Sequence, residues 1–163
     1  MQRTTRGAAA ASAAGPSPEA RARLQGLFSR VVAASESNAL ALEGTGGHGA
    51  LVDARCAAGK VMLDNLPAPA ELGLCVEWLK ERAECLNLAL SHNPEKTVVV
   101  YCDLGKSRSP AVVLAWLKRY HGVEQAELKL ALDELGVRCR MAGQYQTMTT
   151  DKWEVALSCV EPA

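Results

Sequence analysis

Thr97-Val98-Val99-Val100-Tyr101 runs directly into Cys102-Asp103-Leu104-Gly105-Lys106-Ser107-Arg108-Ser109, and Pro110 follows. Five successive apolar or β-branched residues predict a central parallel strand covered on both faces. Beyond the glycine-containing stretch, Ser109 is suited to cap a helix and Pro110 tolerates a first turn. Val112, Val113, Trp116, Leu117 and Tyr120 then form one apolar face that stops at Gly122. Strand, tight loop and helix in that order predict an α/β fold, with the loop at the carboxyl end of the strand.

Upstream, Leu72, Cys75, Val76, Leu79, Ala83, Leu86 and Leu90 recur at three- and four-residue steps, with Glu77, Lys80, Glu81 and Glu84 between them. That pattern predicts an amphipathic helix over 71–90, stopped by Asn93-Pro94. Ala50 to Ala54 predicts a short buried strand after the glycine-rich loop Gly44 to Gly49. Lys60-Val61-Met62-Leu63 predicts another, ended by Asp64-Asn65 and by the prolines at 67 and 69. Residues 21–42 read equally as helix or as strand and turn followed by helix. Downstream, a helix is predicted over 124–135 with Leu128, Ala131, Leu132 and Leu135 inward, and a last short one over 152–159.

A chain of 163 residues suffices for one domain. Residues 21–163 are assigned to it and 1–20 to an N-terminal extension, disordered or held by a partner. That extension is rich in Ala and Ser and carries Arg3 and Arg6 with no acid before Glu19. The composition suits a mitochondrial transit peptide or an uncleaved leader, and the leader is the preferred expectation. Basic and acidic residues balance at 18 each, which gives no field to draw nucleic acid or an acidic membrane surface. No run approaches the roughly 20 apolar residues of a membrane span. The six cysteines, Cys56, Cys75, Cys85, Cys102, Cys139 and Cys159, lie in apolar contexts without paired metal-ligand spacings. Reduced intracellular thiols are expected, five for packing and Cys102 for chemistry. His48, His92 and His121 are isolated, so neither a metal nor another cofactor is expected.

A phosphoryl ester is dianionic, and cleaving it requires an anionic nucleophile inside a ring of donors. Backbone N–H groups of Asp103, Leu104, Gly105, Lys106, Ser107 and Arg108 can supply that ring, and the positive end of the following helix points to the same place. The same field favours a sulfur anion at Cys102. Arg108, six positions on, can grip two oxygens with its planar fork. Gly105 permits the turn.

The stretch VVVYCDLGKSRSPAVVLAWLKRYHGV resembles the signature of the dual-specificity protein phosphatases. The likeness extends more weakly over residues 24–157. It implies a small protein-tyrosine-phosphatase-like domain with a mostly parallel sheet flanked by helices. The implied activity is hydrolysis of phosphoserine, phosphothreonine, phosphotyrosine or small phosphate esters through a cysteinyl-phosphate. By the resemblance, Cys102 is the nucleophile, Arg108 holds the equatorial oxygens and Ser109 stabilises the departing thiolate. Asp64 resembles the general acid, although its Asp-Asn pair also reads as an ordinary turn. Asp53 is the second candidate.

Tyr101 stands where the family carries histidine, and Asp103 places a carboxylate beside the loop. These departures support an alternative: a phosphatase-like protein without turnover, serving as a structural or binding part of a larger assembly. A third reading is a rhodanese-like sulfurtransferase, which Leu51 to Arg55 and Met141 to Tyr145 loosely resemble. The expected partner is a phosphoprotein or small phosphate ester, with no nucleic acid and no membrane. The expected compartment is the cytoplasm, with the mitochondrion as the alternative raised by the leader.

Overall fold

The computed structural model describes residues 17–35, 39, 48–53, 69–102, 108–141 and 151–163. In chain order these form α1 (Pro18–Phe28), β1 (Val31–Ser35), β2 (His48–Asp53), α2 (Pro69–His92) and β3 (Thr97–Cys102). They continue as α3 (Arg108–His121), a 3-10 turn (Gln125–Glu127), α4 (Leu128–Met141) and α5 (Asp151–Ser158). The fold is α/β, mostly helical, around a three-stranded parallel sheet in the order β1-β3-β2.

Val98, Val99 and Val100 are all fully buried, as the continuous apolar run predicts for the middle strand. The pleat sends alternate side chains to opposite faces. Val98, Val100 and Cys102 join the main core with β1, β2 and the helices, whereas Val99 meets Ala39, with Leu51 and Tyr101 beside it. Leu51 and Val99 are register partners on neighbouring strands, which accounts for their shared face.

Within the ambiguous stretch 21–42, residues 21–35 form a helix followed by a strand. Ser17 opens α1, its side chain accepting from the N–H of Ala20 at 3.1 Å. Leu24 and Phe28 anchor this short helix in the core. Arg30 then ties the turn to the carboxyl end of α2, donating through Nη2 to the carbonyls of Leu90, at 2.8 Å, and Asn93. Leu90 lies in the last turn of α2, where carbonyls lack helical donors, so the guanidinium serves there as a C-terminal cap.

Helix α3 departs most from its predicted single apolar face. Every residue from Ser109 to Lys118 is buried, because α2, α4, α5, β1 and β3 all pack around it. A helix enclosed on all sides needs no polar stripe. Two small residues, Ala111 and Ala115, are fully buried within it. Trp116 donates through Nε1 to Asn87 Oδ1 of α2 at 3.2 Å, which fixes the register of the two helices. Gly122 ends α3 with φ of 64°, and the N–H of Val123 reaches back to the carbonyl of Leu117 at 3.3 Å. A left-handed backbone at the helix end is least strained when the residue is glycine.

Other boundaries shift modestly. α2 is longer at both ends than the predicted 71–90, and α4 continues to Met141, beyond the predicted 135. The predicted strand at 60–63 lies outside the described residues. Of the five cysteines expected to pack, Cys75 is buried and Cys85 half-buried, but Cys159 is exposed, just past the last turn of α5. Cys56 lies outside the described residues, as does the side chain of Cys139. No helix among the described residues is long and apolar enough to cross a membrane.

Candidate functional site

Cys102 is the last residue of the middle strand and is 2% exposed. In register, Ser35 of β1 stands opposite Cys102, and Asp53 of β2 stands opposite Tyr101. All three strands therefore end at one level, with the sulfur-bearing residue in the middle. In parallel α/β sheets this carboxyl edge is where ligands are bound.

The stretch after Cys102 re-enters the described structure at Arg108, the first residue of α3. Ser109 was expected to cap the helix; the helix instead begins one residue earlier, and Ser109 lies inside its first turn, fully buried. Its hydroxyl oxygen is 3.3 Å from Cys102 Sγ. Either atom can donate in this contact, but once the sulfur is an anion only the hydroxyl can, and the bond becomes charge-assisted. Seven positions separate the two residues in sequence. The contact thus ties the end of the middle strand to the first turn of α3.

Arg108 is half-buried at the helix start. An N-terminal turn leaves backbone N–H groups without helical acceptors and carries the positive end of the macrodipole, which together favour an anion. Of the residues singled out from the sequence, the structure brings Cys102 and Ser109 into contact and places Arg108 beside Ser109 at the start of α3. Asp103, Leu104, Gly105, Lys106 and Ser107 lie outside the described residues, and so does Asp64. Asp53 is placed by backbone register alone, beside Tyr101 and one step short of Cys102. Among the described residues, no group of three or more His, Cys, Asp and Glu side chains could hold a metal ion.

Farther down α3, the structure adds residues that sequence reading passed over. Lys118 is 8% exposed, and its Nζ donates to the carbonyl of Leu157 at 2.6 Å and to Gln125 Oε1 at 2.9 Å. Burial lowers its pKa from the ordinary lysine value, opposed in part by Cys159. Arg119 donates to the carbonyl of Glu161 at 3.2 Å, and the N–H of Ala163 donates to the carbonyl of Arg119 at 2.9 Å. The carboxyl-terminal segment is thereby fastened to the same helix that carries Arg108. The only sequence signal was a lysine followed seven residues later by glutamine, which is indistinguishable from surface chemistry.

His121, at the opposite end of α3 from Arg108, packs edge-on against Trp116 at 4.4 Å between ring centroids. Its backbone carbonyl accepts from Arg23 Nη2 of α1. Burial, and then the neighbouring Arg23 charge, lower the imidazole pKa from its ordinary value.

No protein-family model matches the chain, and no curated protein matches it.

Proposed function

We propose that this chain is a cysteine-dependent phosphatase acting on phosphoserine, phosphothreonine, phosphotyrosine or small phosphate esters. The observation that carries the reading is the 3.3 Å contact between Cys102 Sγ and Ser109 Oγ. It sets the Cys102 sulfur beside a hydroxyl, at the start of a helix whose first residue is an arginine. A hydroxyl and a helix N-terminus beside the sulfur support a role in holding an anion there.

In this mechanism the thiolate of Cys102 attacks phosphorus, and the bond from phosphorus to the ester oxygen breaks. The leaving oxygen takes a proton from an acid, for which Asp64 is the first candidate and Asp53 the second. Water then attacks the cysteinyl-phosphate, releasing inorganic phosphate and returning the electron pair to sulfur. Arg108 and the loop N–H groups offset charge on the equatorial oxygens in both steps, and Ser109 donates to the departing thiolate.

Tyr101, in the place where the resembled family has histidine, supports a second reading, a phosphate-binding protein without turnover. Hydrolysis of a generic aryl phosphate, with Cys102→Ser as control, separates the two. Turnover abolished by the substitution supports the phosphatase. Absence of turnover in both proteins, with tungstate still bound, supports the second reading; absence of turnover and of oxyanion binding removes both. Sulfur transfer from thiosulfate to cyanide in place of phosphate release would turn the assignment to a sulfurtransferase.

A further inference from the structure

Where the carboxyl ends of α1, α2 and α3 converge, a cavity of about 270 Å³ lies at the opposite end of α3 from Arg108. Arg30 stands on one wall, Asn87 and Ser91 on a second, and Trp116 and His121 on a third. None of the residues lining it is acidic.

Two nitrogens of these walls lack partners. Arg30 Nε and His121 Nε2 are shut away from solvent, and neither meets a hydrogen-bonding group among the described residues. Folded proteins leave few buried polar groups in that state, because an unmade hydrogen bond costs stability. Charge points the same way. Arg23 lies against His121 and donates to its backbone carbonyl. Among the described residues, neither Arg23 nor Arg30 pairs with a carboxylate. The three helix ends oppose these cations with about half a negative charge each. Several of their carbonyls are already engaged: Leu90 by Arg30 Nη2, Leu117 by the N–H of Val123 and Gly26 by Ser29. Two full positive charges therefore outweigh what remains.

We propose that this cavity binds inorganic phosphate. Arg30 Nε, Asn87 Nδ2 and His121 Nε2 arrive from three walls, which suits a tetrahedral oxyanion whose oxygens point in several directions; a planar carboxylate is matched by a single fork. Asn87 Oδ1 is taken by the Trp116 indole N–H, which leaves the amide nitrogen to donate. Arg30 and His121 are half-buried as whole residues, so a small turn of fork and ring presents both nitrogens to the ligand. The volume falls just below the usual range of metabolite pockets and so favours an ion over a larger molecule. This inference does not rest on the phosphatase reading, since the cavity shares no residue with Cys102, Arg108 or Ser109.

The test is titration of the isotope-labelled full chain with inorganic phosphate, at an ionic strength held constant with chloride, followed by nuclear magnetic resonance. The Trp116 indole N–H and the amides of Asn87 and Ser91 report on this cavity. The amides of Cys102 and Ser109 report on the sulfur site, so a response at one end is separable from a response at the other. The expected result is a saturable shift at Trp116, Asn87 and Ser91, with weaker binding of formate. Asn87→Asp keeps the acceptor for Trp116 and adds a carboxylate to the cavity; Ser91→Asp adds one from an exposed position. Each is expected to weaken phosphate binding about tenfold by like-charge repulsion, and an unchanged amide spectrum elsewhere checks the fold. An absence of saturable shift at Trp116 would leave the cavity to water and overturn the proposal. Formate bound as tightly as phosphate, or unchanged phosphate affinity in Ser91→Asp, would overturn it as well.

Discussion

Cys102 Sγ and Ser109 Oγ stand 3.3 Å apart, and both residues are buried. A hydroxyl in that position has its greatest effect when sulfur leaves phosphorus and becomes an anion. Ser109→Ala is therefore expected to slow breakdown of the cysteinyl-phosphate more than its formation. Loss of one such donor lowers turnover by about 100-fold in comparable sites. Single-turnover kinetics on an aryl phosphate reads this as a retained burst followed by a slower steady state. Equal slowing of both phases would mean that the hydroxyl does not act on the leaving sulfur.

Arg108 occupies the first position of α3. If its fork holds equatorial oxygens, Arg108→Ala abolishes tungstate binding, and Arg108→Lys restores only part of it, because an ammonium cannot make the paired contact. Calorimetry on the three proteins measures this. Tungstate bound equally by all of them would separate the arginine from the anion.

Peroxide offers a competition between two thiols. Cys159 is exposed and Cys102 is buried, so access alone favours Cys159. The proposed function requires a reactive sulfur at Cys102, and that requirement favours Cys102. Brief oxidation followed by peptide mass spectrometry is expected to find Cys102 modified first, and the reverse order would show that access governs.

His121 gives stability a dependence on pH near neutrality. Its pKa in the folded protein lies below the ordinary 6.5, so as pH falls through 6.5 the unfolded chain takes a proton before the folded one does. Stability is thus full above about 6.5 and declines below it, until pH passes the folded pKa and both forms are protonated. Thermal melts between pH 7.5 and 5.5 should show a decline that is smaller in His121→Gln. An identical decline in the two proteins would assign the effect to other groups.

Lys118→Met preserves the apolar stem while removing the donor to Leu157 and Gln125. The Leu157 carbonyl would keep only the N–H of Val160, at 3.1 Å, and the exposed Gln125 amide would turn to water, so a cost of about 1 kcal/mol is expected. Chemical denaturation measures it. A gain in stability would show that desolvating the ammonium outweighs its hydrogen bonds.

The central strand and the two helices beside it were legible because their residues obey a single periodicity. Val98 to Val100 can only be a strand buried on both faces, and Leu79, Ala83, Leu86 and Leu90 can only share a helical face. Other features depend on partners distant in sequence. Whether Val31 to Ser35 is strand or helix is decided by the edge of β3 beside it. The inward course of Lys118 is decided by a carbonyl 39 positions away. Ser109 reads locally as a cap, a role that its neighbour's sulfur replaces. Cys102 and Arg108 could be singled out because Gly105, Ser107 and Ser109 stand in register with them between an apolar run and a helix, whereas a single candidate acid could not, since Asp53 and Asp64 both follow short apolar runs.

The enclosure of α3 carries a mechanical consequence. With Ala111 and Ala115 at 0% exposure, this helix has no slack in any direction, and it behaves as a fixed post rather than a lever. A substitution such as Ala115→Leu would displace the arginine at the tip by prying the surrounding elements apart, disturbing the site from about two turns away without touching a bound molecule.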